Sequence, residues 1–243
     1  MNNPLLGLNY LIDGFVLITQ PGLKRFVMIP LIINLILFMG LFFLLRYFVS
    51  EFNVWFAHHL PAWLHWLSTV IWFLFFISFF IIIIYTFVTL ANLVSAPFNS
   101  FLAEKVELYL TGRVPEERSL LDNLKDIPRI MRRQLAILGY YLPRALLILI
   151  LFFIPIVQAF AAILSFLFHA WFMTLTYLDY PSDNHRVPMQ DVKTWMRQRR
   201  WLSLGFGVSV LVVSMIPIVN CFAIPAAVAG ATKYWVTSNS AKG

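Results

Sequence analysis

Cysteine is almost missing from this chain. Of 243 residues only Cys221 is one, which excludes an intramolecular disulfide and any cysteine-rich metal centre. Charge is scarce as well. Lys, Arg, Asp and Glu make up 12% of the residues, against roughly 25% in ordinary soluble domains. No Gly-rich phosphate loop, His-Glu-x-x-His, Gly-x-Ser-x-Gly or Walker pattern occurs. The expectation is therefore no enzyme, no ATP-driven pump, no cofactor and no metal. The first 17 residues lack a basic start and a small-residue cleavage site, so no signal peptide is expected.

What is present is apolar. Hydrophobic residues reach 60% and the mean hydropathy is +0.80. These values place the chain among integral membrane proteins, with the lipid bilayer as its main partner. The net charge of +7 sits in segments that flank apolar runs. That placement suits topology determinants and argues against a nucleic-acid partner.

One phrase occurs twice. Ile154-Pro155-Ile156-Val157-Gln158-Ala159-Phe160-Ala161 returns as Ile216-Pro217-Ile218-Val219-Asn220-Cys221-Phe222-Ala223. Proline removes a backbone donor and clashes with the preceding turn. In hydrocarbon the freed carbonyl has no water to turn to. Matching interruptions of this kind point to broken or hairpin-forming segments in a membrane protein.

Residues 1–20 read as an interfacial amphipathic helix, with Leu5, Leu8, Leu11, Ile12, Phe15 and Val16 near helical spacing. Pro21-Gly22 breaks it. Runs 26–48 and 67–90 are long enough to span a core of roughly 30 Å. Trp55, Trp63 and Trp66 form an aromatic belt between them. Residues 97–138 read as two amphipathic cytoplasmic helices joined near Gly112, the second capped at Ser119. Units 142–178 and 202–232 read as partly inserted, re-entrant helical hairpins, because the halves beside the prolines are short. The expected fold is thus an all-α membrane protein: one membrane domain over 1–237, with two long transmembrane helices, two re-entrant hairpins and cytoplasmic helices. Residues 238–243 are a polar tail.

Basic residues assign the sides. Residues 49–66 hold no Lys or Arg, whereas 91–144 and 179–201 hold most of them. If basic segments stay in the cytoplasm, both termini and both hairpin openings face inward. Pairs of true spans give the same sidedness, so charge alone leaves hairpins and spans both open.

Three groups can carry chemistry. The first is Gly22, Leu23, Lys24 and Arg25, at the start of a spanning helix. The first amides of a helix lack partners and its dipole is positive there. Gly22 allows close backbone approach, and Arg25 offers a planar fork to an oxyanion. Headgroup anchoring explains the same cations. The second is Gln158 and Asn220, which contact an oxyanion or line a polar path, or else satisfy carbonyls freed by Pro155 and Pro217. The third is Asn99, Glu104 and Glu107 (with Asn92), which line a path or form a solvated helix face. His58, His59 and His65 cluster in a loop, and His169 lies in an apolar run. For His169 the two readings are a satisfied core histidine and a functional group.

Two stretches resemble a known family. Asn3-Pro4-Leu5-Leu6-Gly7 through Pro21-Gly22-Leu23-Lys24-Arg25-Phe26, then Pro30 and Asn34, look like the opening of the CysZ sulfate permeases. Ala96-Pro97-Phe98-Asn99-Ser100-Phe101 through Glu104-Lys105-Val106-Glu107 is similar to that family too. The resemblance implies a multi-pass protein of the bacterial inner membrane that admits sulfate for cysteine biosynthesis. It also implies assembly into a homo-oligomer, and sulfate binding at Gly22, Leu23, Lys24 and Arg25. Lys24 stands where the family's Gly-Leu-Arg pattern has arginine. The rival classes are a membrane-embedded scaffold or assembly factor without transport of its own, and a membrane enzyme acting on lipids with His169 or the His58, His59 and His65 group at its centre.

Overall fold

A computed structural model describes residues 2–59, 65–112 and 120–240. All regular structure among them is helical: α1 (Pro4–Ile18), α2 (Lys24–His59), α3 (His65–Thr111), α4 (Leu120–Leu151), α5 (Gln158–Asn184), α6 (Met189–Gln198), α7 (Arg200–Ser214) and α8 (Pro217–Ser240). Among the described residues, three stretches are long and apolar enough to cross a membrane: Lys24–Glu51, Asp126–Leu151 and Gln158–Asn184. The last two are the arms of the first expected hairpin: α4 continues the arm back through Pro143, so the arms are not short and length does not require a re-entrant hairpin there. Most side chains of the expected span 67–90 lie outside the described set. The chain is an all-α membrane protein.

The chain divides into two compact units. One is Ile29–Ser95, made of most of α2 and the first half of α3. Many of its described side chains are exposed, as lipid-facing ones are: Ile36 is 64% exposed and Phe73 61%. Within it Phe48 meets Phe79 edge-on at 6.4 Å between ring centroids.

The other unit holds the start of α2, the end of α3 and all of α1 and α4–α8. Its packing depends on small residues. A Cβ at Gly7 would run into the backbone of Phe206, one at Gly14 into the Ala226 carbonyl, and one at Gly207 into the Ala170 carbonyl. So α1 lies backbone-to-backbone on α7 and α8, and α5 lies so on α7. Close approach through glycine is how helices gain contact where lipid is the competing solvent. The inward face of α1 is Gly7, Leu11, Gly14, Leu17 and Ile18, while Leu5, Leu8, Ile12 and Val16 face out. Lys233 of α8 ties to Asp13 of α1 at 2.8 Å.

Both repeated prolines fall at helix breaks. Pro155 lies in the turn between α4 and α5, and Pro217 opens α8 after the break at Met215-Ile216. The two turns close alike. The N–H of Gln158 donates to the Ile154 carbonyl at 3.0 Å, and that of Asn220 to the Ile216 carbonyl at 2.8 Å. Each bond spans its proline, which has no N–H of its own to offer. Each turn joins two helices that touch each other.

Other prolines do not break their helices. α3 runs unbroken through Pro97, where the sequence reading sets a separate helix over 97–110. α4 runs through Pro128 and Pro143, joining the amphipathic segment to the first arm of the hairpin. The proposed turn and cap at 113–119, and residues 60–64, lie outside the described residues.

Candidate functional site

The first candidate group sits at a tight corner. α1 ends in a turn in which the Gln20 N–H donates to the Leu17 carbonyl at 3.0 Å. Gly22 follows with φ +89°, a left-handed conformation that disfavours any side chain. Nothing lies within 4 Å of the point where its Cβ would be. The backbone is therefore bare and open at this corner.

The next residues alternate in role. Leu23 (3% exposed) and Val27 (4%) are buried and pin the start of α2. The Leu23 N–H is taken by the Gln20 carbonyl at 3.2 Å, and that of Phe26 by the Leu23 carbonyl at 3.0 Å. Lys24 and Arg25 point outward and are exposed. The Arg25 guanidinium lies 4.9 Å from the centroid of the Phe26 ring. Neither cation pairs with a carboxylate among the described residues. The arrangement is two free cations and an open glycine at the positive end of a 36-residue helix. It can receive an oxyanion without displacing an existing ion pair.

The other candidates lie elsewhere and are engaged differently. Asn99 is buried, and its amide donates to the Tyr180 hydroxyl at 3.3 Å. The next residue, Ser100, donates to Asn184 at 2.7 Å. Glu107 accepts from His185 at 2.8 and 2.9 Å. Together these bonds lock the end of α3 to the end of α5. Glu104 lies 3.7 Å from Lys105. Gln158 and Asn220 are exposed at the two hairpin turns. No recorded hydrogen bond or ion pair joins Asn99, Glu104, Glu107, Gln158 or Asn220 to Gly22–Arg25.

His169 is a satisfied histidine. Its Nδ1 lies 2.7 Å from the Ser165 carbonyl and its Nε2 3.0 Å from the Tyr141 hydroxyl. The carbonyl only accepts, so Nδ1 carries the proton and Nε2 is left for the tyrosine. Among the described residues no His, Cys, Asp or Glu group could hold a metal ion. The side chains of His58, His59 and His65 lie outside the described set, as do those of Asn34, Asn92 and Cys221.

One constellation was not foreseen from sequence. Arg133 on α4 holds Asp179 on α5 with both arms, at 2.8 to 3.1 Å. One turn earlier on α4, Arg129 pairs with Asp183, one turn later on α5, and with Asp126 at 3.3 Å. Two arginines four apart thus meet two aspartates four apart on an antiparallel neighbour. That matched spacing was the available signal.

One comparison bears on most of the chain. The family model described as sulfate transporter CysZ/Etoposide-induced protein 2.4 matches residues 10–225.

Proposed function

The chain belongs to the sulfate transporter CysZ/Etoposide-induced protein 2.4 family, and on that premise we propose that it carries sulfate across a bacterial inner membrane. The imported sulfate feeds assimilation into cysteine. Passage is channel-like or gradient-coupled, without ATP hydrolysis. The protein works as a homo-oligomer.

The observation that carries this reading is the corner at Gly22. A left-handed, uncrowded glycine stands just before two exposed cations that have no carboxylate partner among the described residues. A strongly hydrated dianion does not enter bare lipid, so fixed donors must replace part of its water. Gly22, Lys24 and Arg25 supply such donors: open backbone, an ammonium and a guanidinium fork. The role of Leu23 is to seat the corner, since its side chain is buried and its N–H is already bonded. Gln158 and Asn220 are candidate lining at the hairpin turns. Asn99 and Glu107 hold α3 against α5 and so set the shape of the protein around the path.

Sulfate binding to purified wild type and to Lys24→Ala/Arg25→Ala tests the site. The reading expects loss of binding in the variant. Equal affinity sinks the site. A wild type that carries no sulfate into liposomes sinks transport and favours the scaffold.

A further inference from the structure

A second cluster of cations lies away from the α2 corner, and the sulfate reading makes no use of it. A cleft of about 500 Å³ is lined by Tyr140 of α4, Trp171 of α5, Lys193 and Arg197 of α6, and Arg200 of α7. Among the described residues its lining has three cations, two aromatic rings and no carboxylate. Arg144 stands beside it, its guanidinium 3.9 Å from the centroid of the Tyr140 ring. The Lys193 ammonium lies 4.9 Å from the same centroid. None of these four cations pairs with a carboxylate among the described residues. Four cations gathered without a counter-ion repel one another, and an anion relieves the repulsion.

The setting says what kind of anion. Arg144 marks a change along α4. Before it lie Arg129, Arg132 and Arg133; after it the helix is apolar to Leu151. Leu146 is 58% and Leu147 61% exposed. α7 changes in the same way, from Arg199 and Arg200 to an apolar run. Trp201, half exposed, lies beside Arg200 at that boundary. Cations and tryptophan at such a boundary mark the headgroup level of a bilayer. Beyond the cleft, the bare apolar face of α4 offers acyl chains a surface.

We infer that this cleft binds the phosphate headgroup of an anionic phospholipid, with the acyl chains lying along α4 beyond Arg144. The recognised chemistry is a tetrahedral oxyanion. Lys193, Arg197 and Arg200 contact its oxygens, and Tyr140 and Trp171 wall the cleft. Burial, and then the charges of Arg144 and Arg197, hold the Lys193 ammonium below the ordinary lysine range. A bound phosphate reverses that effect.

The test is lipid retention by delipidated protein in detergent, read by native mass spectrometry. The probes are phosphatidylglycerol, phosphatidylcholine, inorganic phosphate and sulfate. The variant is Arg197→Gln/Arg200→Gln; both residues are exposed, so it keeps the fold. A second variant, Lys193→Gln, makes the same test from the third cation. Wild type retains phosphatidylglycerol in preference to phosphatidylcholine, and millimolar phosphate or sulfate does not displace it. At roughly 1 kcal/mol per cation near a membrane surface, the double variant loses on the order of thirtyfold in retention. Lys24→Ala/Arg25→Ala leaves retention unchanged, which keeps this inference separate from the sulfate site. Equal retention by wild type and both cleft variants overturns it. So does free phosphate or sulfate occupying the cleft where phosphatidylglycerol does not.

Discussion

The guanidinium of Arg133 holds both carboxylate oxygens of Asp179, with Nε at 3.0 and 3.1 Å and Nη2 at 2.8 Å. Asp179 is 1% exposed, so this pair fastens α4 to α5 from inside the protein. Removing one member of a buried pair leaves the other uncompensated, at about 3–5 kcal/mol. Asp179→Ala is therefore expected to unfold at a markedly lower temperature in detergent. Arg133→Met/Asp179→Leu, which removes both charges, is expected to recover much of the loss. A double variant no better than the single one would show that the charges themselves are required.

Gly207 allows α5 and α7 to touch. A methyl group there meets the Ala170 carbonyl and crowds the Thr174 hydroxyl. Thr174 also donates to the Ser203 carbonyl at 2.5 Å, a second tie between the same helices. Gly207→Ala is expected to cost about 1–3 kcal/mol, the usual range for overpacking. Thermal unfolding checks it, with Gly40→Ala as the control, because nothing lies within 4 Å of a Cβ at Gly40. Equal melting temperatures for the two variants would mean that the helices part without cost.

The N-terminus caps a distant helix. The Asn2 side-chain oxygen accepts from the N–H groups of Trp201 and Leu202 at 3.0 and 3.1 Å. The local residue, Arg199, supplies no side-chain cap to α7. Asn2→Ala is expected to lower stability by about 1 kcal/mol. Asn2→Asp, which keeps an acceptor oxygen, is expected to retain it. A chemical denaturation series across the two variants decides.

Lys193 gives the stability a pH dependence. Its lowered pKa means that the unfolded chain binds a proton more readily than the folded one. The folded protein therefore gains stability as pH rises from the folded-state pKa towards the ordinary lysine value. The groups facing it are Tyr140 and Arg144 of α4, Trp171 of α5, Arg197 of α6 and Arg200 of α7. Lys193→Met is expected to flatten the rise in lipid-free protein. An identical pH profile for wild type and Lys193→Met would contradict this.

Sequence and structure agree best where a local residue forces the backbone. Pro155 and Pro217 were legible because the same proline-centred phrase interrupts two apolar runs, and both lie at the turns of helix pairs. The corner at Gly22 was legible from the Pro21-Gly22 pair, since glycine accepts a left-handed backbone. Pro97, Pro128 and Pro143 sit inside long helices all the same, Pro97 buried and Pro128 and Pro143 exposed, so a proline alone does not say where a helix ends. Asn99 also donates to Tyr180, 81 residues away, a contact no local pattern announces. The Arg129–Asp183 and Arg133–Asp179 ties also needed long-range knowledge, although their shared spacing of four was there to be matched. Asn2 reaches Trp201 across 199 positions, and no periodicity encodes that.

The central claim is that sulfate first meets this protein at Gly22, Lys24 and Arg25 and passes the membrane by means of it. The most direct measurement is radiolabelled sulfate uptake into liposomes holding the purified protein alone. Wild type is compared with Lys24→Ala/Arg25→Ala at equal incorporation. The account predicts uptake by wild type above empty liposomes and its loss in the variant. Equal uptake by the two proteins, or none by wild type, would contradict it.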